Sequence, residues 1–114
     1  MEPNLAYERR EDVVFLDVRT DQEYQAGHIA DSLHIPLQEL PDRKDELDGD
    51  RPVVVVCQVG QRSGLAASFL AEHGYDASNL DGGLESWVAS GFPLVAGDNA
   101  PGKAIDGRAQ YLEW

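Results

Sequence analysis

The sequence predicts an α/β fold, a small three-layer sandwich with a mainly parallel sheet flanked by helices. Two near-continuous apolar runs rich in β-branched residues, Val13-Val14-Phe15-Leu16-Asp17-Val18 and Val53-Val54-Val55-Val56-Cys57, read as strands buried on both faces. Segments with helical spacing and capping signals alternate with such runs, and strands alternating with helices pair in parallel through right-handed crossovers. At 114 residues and 42% hydrophobic, the chain suffices for one domain with one real core.

Each element has its own warrant. Residues 1–12, MEPNLAYERRED, form a short N-terminal segment without the apolar stretch of a signal peptide. After the strand from Val13 to Val18, Thr20 and Glu23 have capping-box spacing, with Thr20 as N-cap and Glu23 at N3, and Gly27 ends the helix. Ser32-Leu33-His34-Ile35 is a short strand stopped by Pro36, and Pro41 suits a first helical position for a helix to Leu47 closed by Gly49. Beyond the valine strand, Ser63 to His73 places Leu65 with Phe69 and Ala66 with Leu70 at four-residue spacing, read as one apolar face, with Gly74 as the C-cap. Ser78-Asn79-Leu80 is a further short strand. Leu84 to Ala89 aligns Leu84, Trp87 and Val88 and stops at Gly91-Phe92-Pro93. From Val95 the pattern breaks at a turn-rich stretch, Gly97 to Gly102. The tail, 95–114, is either anchored through Tyr111, Leu112 and Trp114 or frayed. The domain proper is therefore expected over 13–94.

Charge excludes several functions. Nine Lys+Arg against 21 Asp+Glu leave a formal net charge of -12, with only two lysines, so neither a nucleic acid nor an anionic membrane face is a partner. No apolar run is long enough to span a bilayer. The single cysteine cannot form an internal disulfide, which points to a cytoplasmic protein with a free thiol. Two meanings of the acidity stand side by side: solubility in a high-salt cytoplasm, or docking to a basic partner.

Cys57 closes the most hydrophobic strand and is followed by Gln58-Val59-Gly60-Gln61-Arg62-Ser63 and a helix. Ligands of open α/β sheets bind beyond the carboxyl ends of the strands. A short Gly-containing loop can curl its N–H groups into an anion-binding nest, the helix start adds partial positive charge, and Arg62 adds a full one. All of this favours a thiolate: a cysteine of pKa ~8.5 is only about 3% ionised at pH 7, one near 6.5 roughly three-quarters. A lone strand-end cysteine would otherwise read as a small packing hydrophobe, but the Gly, the Arg and the helix start within seven residues argue for chemistry.

The string Cys57-Gln58-Val59-Gly60-Gln61-Arg62-Ser63 resembles the active-site loop of the rhodanese (thiosulfate sulfurtransferase) family. Flanking pieces agree in order over about residues 13–94: Leu16-Asp17-Val18-Arg19, Glu23-Tyr24, Gly27-His28-Ile29, Ile35-Pro36-Leu37, Ala66-Ala67, Leu80-Asp81-Gly82-Gly83, Trp87 and Gly91-Phe92-Pro93. The resemblance implies a rhodanese-like domain with a five-stranded sheet. Such domains carry a strand and helix ahead of the Leu16-Asp17-Val18-Arg19 piece, and only twelve residues precede Val13, so that first strand is expected to be shortened or missing.

By the same resemblance Cys57 is the catalytic residue of a sulfurtransferase. It takes the outer sulfur of thiosulfate or a related donor, carries it as a persulfide, and passes it to cyanide or a thiol. Amides from Gln58 to Ser63 would stabilise the persulfide and the departing sulfite, and Arg62 would hold the substrate's charge. No metal or organic cofactor is required; His28, His34 and His73 lack ligand spacing. Asp17 and Arg19 lie on the same rim, either supporting the loop through Arg62 or forming a structural ion pair. His28 reads as a structural hydrogen-bonder, Trp87 as core, and Asp81-Gly82-Gly83 as a tight turn beside the pocket. The loop is less cationic than a strong thiosulfate enzyme's would be.

Two other readings use the same cysteine. One is a persulfide carrier or docking module in sulfur trafficking, serving a protein partner with little steady turnover. The other, phosphatase or arsenate reductase-like activity, is disfavoured because four residues separate Cys57 from Arg62, where the related phosphatases have five.

Overall fold

The computed structural model describes residues 1–97 and the short strand Ala104–Ile105. Its centre is a parallel sheet of four strands, β1 (Val14–Asp17), β2 (Leu33–His34), β3 (Val53–Val56) and β4 (Ala77–Asn79), in the spatial order β2-β1-β3-β4. The two long apolar runs lie side by side, with Leu16 opposite Val55 and Asp17 opposite Val56. That adjacency explains their composition. Phe15, Val54 and Val56 face one core with Leu84, Trp87 and Val88, while Leu16, Val53 and Val55 face the other with Leu40, Ala66 and Leu70. A strand with apolar layers on both sides loses the alternation of a half-exposed one.

Helices α1 (Pro3–Glu8) and α5 (Gly83–Ala89) supply the first layer, α3 (Leu40–Arg43) and α4 (Gln61–Glu72) the second. Helix α2 (Asp21–Ala26) follows β1 and carries the expected capping box: the Thr20 hydroxyl accepts from the Glu23 amide while the Glu23 carboxylate accepts from Thr20 N–H at 3.1 Å. Gly27 ends it in extended backbone.

Among the described residues the sheet has four strands, not five. Ahead of Val14 the chain forms α1, with Pro3 in its first turn and Ala6 fully buried against the α5 layer. Proline's fixed φ and missing N–H suit a helix start and would cost a strand a ladder bond. The chain after α5 does not extend the sheet either: β5 (Leu94–Val95) pairs antiparallel with β6 (Ala104–Ile105), and Val95 bridges to His28. The helix expected over 41–47 is a series of short turns, a 3-10 turn at Leu37–Glu39, then α3, then a 3-10 turn at Lys44–Glu46.

Helix α4 begins two residues earlier than expected and turns a narrower face inward. Ser63, Ala66, Ala67 and Leu70 are buried, at the spacing of one helical stripe, whereas Leu65 is 69% exposed. The two alanines let α4 lie close to the valine strand, and Leu65 points away from it. Trp87 is core as expected, 2% exposed, its indole N–H donating to the Pro93 carbonyl at 3.0 Å. Tyr111, Leu112 and Trp114 lie outside the described residues.

Candidate functional site

The site grows from the end of β3. The valine strand delivers Cys57 to the carboxyl edge of the sheet, and Gln58, Val59 and Gly60 make the turn into α4. Gly60 sits at φ 103°, a left-handed conformation that costs glycine little. It is also the N-cap of α4, and no side chain there takes up the helix's first N–H groups. Gln61 and Arg62, expected as loop, form the first helical turn together with Ser63.

Those donors converge on the sulfur. Cys57 Sγ, in a residue 1% exposed, accepts from Gly60 N–H at 3.1 Å and from the Ser63 hydroxyl at 3.2 Å. Burial pushes the thiol's pKa up, but the Ser63 hydroxyl and the amides of Ser63, Gly60 and Val59 outweigh it, and the net shift is downward. Hydrogen bonds to the charged form are what lower a cysteine's pKa in an otherwise apolar place. The site is therefore a buried sulfur at a strand end, ringed by donors that fit an anion.

Two further elements hold the ring in place. Asn79, at the end of β4, donates through Nδ2 to the Gly60 carbonyl at 2.9 Å, and its Oδ1 accepts from the Ser63 hydroxyl. The start of α5 closes from the other side: Leu84 N–H donates to the Cys57 carbonyl at 2.9 Å and Glu85 N–H to the Gln58 carbonyl at 3.1 Å. A Cβ on Gly83 would sit 2.5 Å from the Gln58 carbonyl oxygen and 2.6 Å from that of Cys57, so only glycine allows this approach. The Asp81-Gly82-Gly83 turn thus forms the wall under the cysteine loop, as its sequence suggested.

Arg62 is differently employed than the sequence implied. Its guanidinium makes a two-pronged pair with Glu23 at the start of α2, Nη1 to Oε1 at 2.8 Å and Nη2 to Oε2 at 2.9 Å. This bond holds the Glu23 carboxyl down at about 2, against partial burial, with Thr20 contributing, and it raises Arg62 in turn. The pair straps α2 to α4, and Arg62 still interacts electrostatically with Cys57. The sequence shows Glu23 as a capping residue and as part of the Glu23-Tyr24 piece, not as a partner of Arg62. The available clue was topological: the first turns after two neighbouring parallel strands lie on one rim.

Asp17 and Arg19 are brought together, but with each other. Arg19 Nε and Nη2 donate to the two carboxylate oxygens of Asp17 at 2.9 and 2.8 Å, Arg19 N–H donates to Oδ1 at 3.1 Å, and Nη2 also reaches the Gly27 carbonyl at 2.7 Å. Both residues are at most 1% exposed. Of the two expectations for them, the geometry is that of the structural ion pair, and Arg62 takes Glu23 instead of Asp17. His28 is buried, its Nδ1 2.6 Å from the Tyr24 carbonyl and its ring stacked on Tyr24 at 3.7 Å. Among the described residues no group of three His, Cys, Asp or Glu is placed to hold a metal, and no helix is long and apolar enough to cross a membrane.

A parallel sheet carrying a cysteine in an N–H-lined loop defines a class of protein, and comparison with known proteins gives the class its name. Residues 2–90 match the rhodanese-like domain, and the chain belongs to that family. It is 41% identical over 87 residues to a protein named sulfurtransferase from Allochromatium vinosum, an alignment covering 75% of this chain and 81% of that one. It is 40% identical over 83 residues to the thiosulfate sulfurtransferase GlpE of Pseudomonas savastanoi pv. phaseolicola, covering 72% and 78%. Among solved structures, the rhodanese-related protein of Thermoplasma volcanium superposes with a TM-score of 0.81 at 35% identity, over 83% of this chain and 95% of that one.

Proposed function

We propose that the chain is a cytoplasmic sulfurtransferase that moves a sulfane sulfur from thiosulfate or a related donor to cyanide or a thiol through a persulfide on Cys57. The observation that carries this reading is the donor ring around a single buried sulfur. The names and family of the relatives support it.

The thiolate of Cys57 attacks the sulfane sulfur of thiosulfate; a Cys57–sulfur bond forms, the sulfur–sulfur bond of the donor breaks, and sulfite departs with the electron pair. Cyanide then attacks the outer sulfur of the persulfide, and thiocyanate leaves as Cys57 returns to thiolate. No net oxidation occurs, so no redox partner is needed. The amides of Val59, Gly60 and Ser63 and the Ser63 hydroxyl stay fixed through both steps, so their dipoles stabilise the returning thiolate without reorganising.

The test is thiocyanate formation from thiosulfate and cyanide, with Cys57→Ser as the control. Turnover abolished in the variant supports the proposal; full activity in the variant overturns the site. One observation favours the carrier reading over a fast thiosulfate enzyme. Arg62, the loop's only basic side chain, is already paired with Glu23, so a dianionic donor meets chiefly the amides and the Ser63 hydroxyl. Loading of a single sulfur with negligible turnover would select the carrier. Phosphate chemistry is weakened by the same pair, because a phosphate would have to displace Glu23 from Arg62.

A further inference from the structure

Among the described residues two large apolar side chains are conspicuously exposed, Val59 at 48% and Leu65 at 69%. Isolated exposed hydrophobics need no explanation, but both of these belong to the turn and the helix that follow the reactive cysteine. Val59 is in the turn that cradles Sγ, and Leu65 is on α4 just past Ser63. Leu65 lies three residues after Arg62 and four before the half-buried Phe69, so the three share one side of the helix. Leu65 and Phe69 therefore form an apolar strip on the outer side of α4, separated from Val59 in the turn by the Arg62–Glu23 pair.

A small molecule held at Sγ does not cover this strip. Phe69 is six residues beyond Ser63, about 9 Å along a helix rising 1.5 Å per residue. Only a macromolecular surface reaches both the sulfur and the strip. Its charge is indicated too. Asp21, 82% exposed and 3.6 Å from His34, follows the end of β1; Asp81, 65% exposed and 3.4 Å from the N-terminal ammonium, follows the end of β4. Glu85 is exposed with its N–H on the Gln58 carbonyl, and Arg62 is paired with Glu23. The chain as a whole carries -12. A second copy of the chain would bring the same sign of charge; a basic protein would not.

We propose that Val59 and the strip of Leu65 and Phe69 dock the sulfur acceptor, a protein that presents a reactive cysteine on an apolar, basic surface. This rests on the persulfide reading of Cys57. In the transfer, the acceptor's thiolate attacks the outer sulfur of the protonated Cys57 persulfide. A new sulfur–sulfur bond forms on the acceptor, the bond to Cys57 breaks, the proton stays on the transferred sulfur, and Cys57 departs as the thiolate its donor ring stabilises.

The experiment loads wild type and Leu65→Ser with inorganic polysulfide, verified by a mass gain of one sulfur on the single cysteine. Discharge is then timed with cyanide, with a cysteine peptide flanked by Lys and Leu, and with one flanked by Glu and Ser, as rates per thiolate. The Lys/Leu peptide is expected to discharge wild type about tenfold faster than the Glu/Ser peptide at low salt. Leu65→Ser is expected to slow the Lys/Leu peptide about threefold or more, the worth of a partly buried leucine, and leave cyanide unchanged. Equal peptide rates, an unaffected Lys/Leu rate in Leu65→Ser, or an equal slowing of cyanide overturns the docking strip. Failure of Cys57 to take up sulfur from polysulfide instead overturns the persulfide reading beneath it.

Discussion

Replacing Ser63 by alanine removes the hydrogen bond that does most to lower the pKa of the Cys57 thiol. The hydroxyl lies 3.2 Å from Sγ and is the largest of the influences that lower the thiol's pKa. A hydrogen bond to a charged group is worth about 1.5–3 kcal/mol, which would move a pKa by roughly one to two pH units at 1.36 kcal/mol each. Two facts reduce that figure. The Ser63 hydroxyl has one proton and two acceptors, Sγ and Asn79 Oδ1, so the thiol state keeps a partner for it. The amides of Gly60, Val59 and Ser63 also remain in the variant. Ser63→Ala should therefore raise the midpoint of Cys57 ionisation by about one pH unit, slowing alkylation at pH 7 up to about tenfold. Iodoacetamide modification followed across pH reads this without ambiguity, because the chain has one cysteine. Ser63→Thr, which keeps the hydroxyl, should restore most of the shift. A midpoint unchanged in Ser63→Ala would refute the claim that the helix's first turn activates the sulfur.

Other perturbations test the scaffold around it. Gly83→Ala drives a methyl into the Cys57 and Gln58 carbonyls at φ 65°, so thermal melting should show a loss of roughly 1–3 kcal/mol with sulfur loading impaired in parallel. Asp17→Asn leaves Arg19 a buried charge without its carboxylate; breaking such a pair costs about 3–5 kcal/mol, and urea titration should find the variant near or past the edge of folding. Glu23→Gln keeps the shape of the α2 cap but not its charge. Because the folded-state pKa of Glu23 is depressed to about 2, its contribution is fully present above the unfolded carboxyl value and is lost as pH falls toward 2. Wild type and Glu23→Gln should thus differ by roughly 0.5–1 kcal/mol near pH 7 and converge in acid urea melts.

Elements with a one-dimensional cause were legible. Strands buried on both faces must be apolar throughout, and β1 and β3 are. A capping box is local, and α2 starts where Thr20 and Glu23 place it. Cys57 stood out because its loop, its glycine and its helix start are contiguous. What could not be read depends on residues far apart in sequence. Glu23 and Arg62 are 39 residues apart and meet only because β1 and β3 are neighbours. Asn79 comes from a three-residue strand whose chemical role lies wholly in what it touches across the sheet. The helical spacing of Leu65 to Phe69 predicts that Leu65 is buried, and it is not. Burial instead follows Ser63, which must face the sulfur, and the stripe that continues from Ser63 is Ala66, Ala67 and Leu70. The shortness of the segment ahead of Val13 was enough to expect the first strand shortened or missing, and among the described residues a proline-started helix that packs Ala6 into the core stands there.

The central claim is that Cys57 carries sulfane sulfur, and the most direct measurement is the mass of the intact protein after incubation with thiosulfate, with released sulfite quantified alongside. One added sulfur atom per chain is expected, removable by cyanide, matched by one sulfite, and absent from Cys57→Ser. An unchanged mass with both thiosulfate and polysulfide, or the same gain in Cys57→Ser, would contradict it.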